Sequence, residues 1–132
     1  MALNRTLKHF LLALLTVALV ACASTPEGGG SNKYRIKFNG KADTDGEVVF
    51  LVTPVTGEAK EVRLPVEEGT RENAAANDLE REMKSVLGGR DYGIERDDWE
   101  DVLVKKDLTS DNFRLELVSN TVDGLSVRVV KE

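Results

Sequence analysis

The chain predicts an α+β domain: an antiparallel sheet of about six to seven strands with one amphipathic helix packed on one face, in the order βββαββββ. Three observations carry this. Seven strand-like stretches lie between Lys33 and Val130, most alternating apolar and polar residues with period two and one apolar on both faces. One stretch only, from Arg71 to Leu87, repeats its apolar residues at helical spacing. The connections are short turns, as in an α+β arrangement.

Taken in order, KYRIKFNG turns Tyr34, Ile36 and Phe38 one way and Lys33, Arg35 and Lys37 the other, the pattern of a half-buried strand. KADTDG supplies turn residues. EVVFLVT (Glu47 to Thr53) is apolar on both faces and is expected at the centre of the sheet. After PVTGE, the stretch KEVRLPV aligns Val62, Leu64 and Val66, and Pro65, which cannot donate to a ladder, puts this strand at an edge. The helix follows, with Thr70 as N-cap and Gly88-Gly89 at its end. Its apolar stripe is Ala75, Leu79, Met83, Val86 and Leu87, and Glu80 and Lys84 form an i,i+4 pair on the exposed side. Four strands complete the chain: DYGIER with Tyr92 and Ile94, DVLVKK with Val102 and Val104, NFRLELV with Phe113, Leu115 and Leu117, and LSVRVV with Leu125, Val127 and Val129.

Ahead of the domain, the first 21 residues carry Arg5 and Lys8, an apolar run from Phe10 to Ala21 relieved only by Thr16, and small residues before Cys22. This is the layout of a secretory signal, with an apolar run too short for a membrane span of about 20 residues. The stretch LVAC at its end resembles the lipobox of bacterial lipoproteins. The resemblance implies cleavage before Cys22, a diacylglycerol on its sulfur, and a further acyl chain, commonly palmitate, on the new amino group. Each buried methylene contributes about 0.8 kcal/mol, so several chains anchor stably where one would not. Ala23 stands where an Asp retains lipoproteins of double-membrane bacteria in the inner membrane. The resemblance therefore implies a lipid anchor in the outer membrane, facing the periplasm.

Residues 1–21 are thus expected to be removed, 22–32 to form the lipidated Cys and a flexible tether, and 33–132 to form one domain. Of the chain's 18 basic and 23 acidic side chains, Arg5 and Lys8 leave with the signal and no acid does, taking the formal charge from −5 to −7. That balance argues against nucleic acid as a partner. His9, the only histidine, is also lost, and Cys22 is the only cysteine. The mature domain then has no imidazole or free thiol for zinc, for a Ser-His triad or for a thiol nucleophile, and no disulfide. Ser110, Ser119 and Ser126 have no basic partner in sequence, since Lys105 and Lys106 lie in a strand flanked by acids. No catalytic residue and no cofactor are expected, and the partners expected are the membrane, through the anchor, and an envelope protein or peptidoglycan.

Two acidic runs invite a calcium reading, because calcium collects carboxylate and carbonyl oxygens from a loop. Asp43, Asp45 and Glu47 begin like a calcium loop, but Val48 and Val49 follow where ligands should continue, which is the pattern of a hairpin turn. In DDWED, Asp97, Asp98, Glu100 and Asp101 surround Trp99, the only tryptophan. This run is a candidate partner-binding loop, with Trp99 as an aromatic anchor rimmed by charge. Alternatives are a calcium-dependent or glycan-binding module, with Asp97, Asp98 and Asp101 as the calcium candidates, or a solvated turn with the indole tucked against the domain. Asp98 and Asp101 could stand at glycosidase separations, but so small a domain offers little wall for a sugar cleft.

GKADTDGEVVFLVT, then GTRENAAANDLEREM, then DDWEDVLVKK together resemble β-β-β-α-β-β modules of bacteriophage tail and bacterial surface proteins. The resemblance covers most of the mature chain, implies a module for assembly or binding, and carries no functional residue across.

Overall fold

A computed structural model describes residues 30–88, 90–107 and 112–132. Within them run β1 (Lys33–Gly40), β2 (Gly46–Pro54), β3 (Lys60–Val66), α1 (Glu72–Leu87), β4 (Tyr92–Asp97), β5 (Asp101–Lys106), β6 (Phe113–Asn120) and β7 (Leu125–Lys131). The mixed α+β composition and the element order are those the sequence predicts. The signal segment, Cys22, Gly89 and Ser110 lie outside the described residues.

The expectation of a single sheet is corrected. The strands form two antiparallel sheets, β4-β5-β1-β7 and β3-β2-β6. The reason is one of area. A helix of 16 residues is about 24 Å long and about 10 Å wide, whereas seven strands side by side span about 30 Å. One helix cannot cover that face. Instead the two sheets cover each other: Ile36 and Phe38 of β1, Val102 and Val104 of β5, Val48, Phe50 and Val52 of β2 and Leu115 of β6 share one core. The helix lies against β3 of one sheet and β1, β4 and β5 of the other, burying Ala75, Ala76, Leu79, Met83 and Leu87.

The central place expected for EVVFLVT is observed, since β2 pairs with β3 on one side and β6 on the other. Its outer face is apolar too, with Val49 buried and Leu51 half-buried. As Pro65 implies, β3 is an outermost strand. On β6 the register slips between Val49 and Phe50, which face Ser119 and Leu117. Val118 is therefore the extra residue of a β-bulge, and its side chain is exposed.

Two boundaries also differ from expectation. Arg71, not Thr70, occupies the N-cap, with extended backbone and no side-chain capping bond. Ala42 N donates to Thr70 O at 2.8 Å and Lys41 bridges to Arg71, so the neighbouring segment holds the chain extended one residue further. The other end agrees: Gly88, at φ 72°, donates its N–H to Lys84 O. The fold also begins inside the expected tether. Ser31 and Phe113 exchange backbone hydrogen bonds of 3.0 and 2.9 Å, and Asn32 O accepts from Lys106 N. A Cβ on Gly30 would meet the Phe113 carbonyl oxygen at 2.1 Å, so this approach requires glycine. Beneath it the buried Tyr34 hydroxyl donates to the same carbonyl, and Tyr34 and Tyr92 both meet the Phe113 ring edge to face.

Candidate functional site

The hairpin joining β4 to β5 carries DDWED, and its ladder ends with Asp97 directly opposite Asp101. Like charges so placed repel. A cation from another strand resolves this: the Arg35 guanidinium of β1 lies 2.8 Å from Asp97 and 3.1 Å from Asp101. Its Nε reaches Glu132 at 2.5 Å, Glu132 also takes Lys33 at 2.5 Å, and Lys37 stands 3.6 Å from Asp101. The Arg35 pKa is raised, first by Glu132 and then by Asp101 and Asp97. Asp101 is buried, with Arg35 and Lys37 as its cationic neighbours.

The other members of the run point away. Asp98, Trp99 and Glu100 are exposed, the indole to 77 %. Asp98 and Trp99 both have positive φ, 50° and 65°. Glu100 N donates to Asp98 O at 2.7 Å, closing a three-residue turn on Trp99, a geometry that is rare and strained for a bulky side chain. Elsewhere the chain meets such positions with glycine, as at Gly40 and Gly124. The hairpin is tied to β1 by Phe38 N donating to Glu100 O at 3.3 Å. An open groove of about 650 Å³ lies beside it, lined among others by Lys37, Asn39, Asp98, Glu100 and Arg128.

Of the sequence-predicted residues, then, Asp97 and Asp101 come together on Arg35, whereas Asp98, Trp99 and Glu100 form the exposed tip. Arg35 stands where a cation shared by Asp97 and Asp101 would sit. No group of three His, Cys, Asp or Glu among the described residues is placed to hold a metal ion. In the other acidic run, Asp45 accepts the Glu68 N–H at 2.7 Å and Glu47 pairs with Arg63. The hairpin turn expected there is corrected, since β1 and β2 lie in different sheets and the segment between them crosses from one to the other. Sequence reading passed over Arg35, Lys37 and Arg128 as members of solvated strand faces. A signal was present in the four acids of DDWED, which need a cation that the loop itself does not contain.

No protein-family model matches the chain, and no curated protein or solved structure is recognisably similar to it. The site therefore rests on its own geometry.

Ion pairing holds the Glu132 carboxyl at about 2, below the ordinary 4.5, chiefly through Arg35 and then Lys33. A depressed folded pKa means stability that is present above the unfolded value and lost as pH falls through the folded one. The protein should thus lose this contribution between about pH 4.5 and 2. Glu132→Gln should be less stable than the parent at pH 7, and the two urea midpoints should converge by about pH 2. A constant gap over that range would show that the pairing does not carry the effect.

Proposed function

We propose that this chain is a small lipid-anchored cell-envelope protein, non-catalytic, that binds or positions another envelope component through the Trp99 hairpin. Cys22 holds it in the outer membrane facing the periplasm, on a tether ending near Gly30. The observation that carries the binding reading is Trp99, an indole 77 % exposed on a strained turn. Strained backbone persists only where surrounding structure over-determines it, and it concentrates at functional sites. Here Arg35 and the Phe38–Glu100 hydrogen bond supply that support from β1. The exposed ring rimmed by Asp98 and Glu100 has the form of an aromatic anchor with a polar rim.

A second reading is a glycan ligand. The polar groove beside the hairpin favours it, since a sugar stacked on the indole could hydrogen-bond along Asn39 and Lys37.

Cross-linking in cells from a photo-reactive residue at position 98 should yield one dominant protein adduct, lost on Trp99→Ala. Cys22→Ser should leave the chain unprocessed and absent from the outer-membrane fraction. An adduct that survives Trp99→Ala refutes the role of the tip, and retention of purified protein on peptidoglycan in its place supports the glycan reading. A Cys22→Ser chain processed and sedimenting like the parent refutes the anchor.

A further inference from the structure

The outermost strand of the four-stranded sheet is β7, and hydrogen bonds at its two ends fix which of its backbone groups are used. Lys41 N donates to Gly124 O at 3.2 Å and Glu132 N donates to Lys33 O at 3.1 Å, in the register that pairs Gly40 with Leu125 and Tyr34 with Lys131. Even-numbered residues of β7 therefore turn N–H and C=O toward β1, and odd-numbered residues turn theirs outward. Asn120 Nδ2 donates to the outward carbonyl of Leu125 at 2.8 Å. Val127 and Val129 have no strand beside them there among the described residues, because β6, though joined to β7 through residues 121–124, belongs to the other sheet.

The two faces of this edge differ in chemistry. On the inner face Val127 and Val129, opposite the buried Phe38 and Ile36, are half-buried, as is Leu117 of β6. On the outer face Arg128 stands directly across from Lys37, a like-charge pair that costs stability. Lys37 has Asp101, but no acid lies within ion-pair distance of Arg128 among the described residues. In a chain of net negative charge, Arg128 is thus left without an ion-pair partner among the described residues, on the outermost strand of its sheet and in the groove next to the Trp99 hairpin.

We infer that the outer edge of β7 pairs with an extended segment of a partner protein in which acidic residues alternate with apolar ones. This rests on the partner-binding reading above and names the partner's chemistry. An added strand satisfies the outward groups of Val127 and Val129. Its period of two sets an acid beside Arg128 on one face and its apolar side chains over Val127, Val129 and Leu117 on the other. A second copy of this chain fits worse. Outward-facing odd residues must pair with one another, so near the middle of a β7–β7 ladder Arg128 would face Ser126, Arg128 or Val130, and never an acid.

The test uses the purified full chain and a capped peptide, TEVEVEVT, with amide hydrogen exchange read residue by residue. At millimolar peptide, exchange at Val127 and Val129 should slow at least tenfold, and TKVKVKVT should not slow it. Arg128→Glu should reverse that preference. Val129→Pro removes an N–H that faces outward, so the β1 ladder stays intact while protection at Val127 disappears. Unchanged exchange, equal protection by both peptides, or protection that needs no peptide and grows with protein concentration each overturn the pairing, the last in favour of a second copy. Trp99→Ala should leave the peptide effect unchanged, so failure at the hairpin tip and failure at the β7 edge give different results.

Discussion

Replacing Arg35 with alanine should lower the unfolding free energy by about 3 kcal/mol, the order expected when one partner of a buried ion pair is removed and the other is left behind. The guanidinium is the shared partner of Asp97, Asp101 and Glu132, and the Asp101 carboxylate is almost fully buried. Without Arg35, Asp97 and Asp101 face each other across the ladder with only Lys37 near, at 3.6 Å from Asp101. Arg35→Lys should recover part of the loss, since a single ammonium cannot hold three carboxylates in the geometry of a planar fork. Urea denaturation of Arg35→Ala, Asp101→Asn and the double variant decides the matter. If the two single effects simply add, the carboxylates do not depend on Arg35. The same variant should also release the Trp99 turn, seen as faster amide exchange at Glu100.

Phe50→Ala should be the costliest single truncation in the domain, about 4 kcal/mol. Phe50 is fully buried in the central strand of the three-stranded sheet, between Val62 and Leu117 and beside the β6 bulge. A domain of this size is stable by roughly 5–15 kcal/mol, and the only cysteine precedes the described residues, so no disulfide supports the core. The melting temperature should fall by about 20 °C. Leu51→Ala on the half-buried outer face of the same strand is the control, and should cost far less. A Phe50→Ala loss below about 1 kcal/mol would mean that the two sheets do not share one packed core.

Much of the site was written in local sequence. The acidic run around Trp99 and its place between two strands are legible there, whereas the pairing of the adjacent Arg96 with Glu80 of α1 is not. The charge partner was not, because Arg35 is separated from Asp97 by the whole of β2, β3 and α1 and meets it only because β5 pairs with β4 on one side and β1 on the other. Nor was the exposure of the indole legible. A lone aromatic in a charged turn fits a tucked ring as well as an exposed one, and only the folded domain, which leaves Trp99 77 % exposed, separates the two.

The sequence by itself determined the elements: alternation of period two, and in β2 a run apolar on both faces, made the strands, one helical stripe ending at Gly88 made the helix, and Pro65 kept β3 at an edge. These are local properties of backbone and side-chain spacing. Only the tertiary structure decided that the strands divide into two sheets, that β7 is the outermost strand of its sheet among the described residues, and that Arg35 holds Asp97 and Asp101 beneath the Trp99 tip. Each of those depends on which strands lie side by side, and strand neighbours are chosen by burying apolar area and pairing charge across the whole domain, a sum that no single stretch contains.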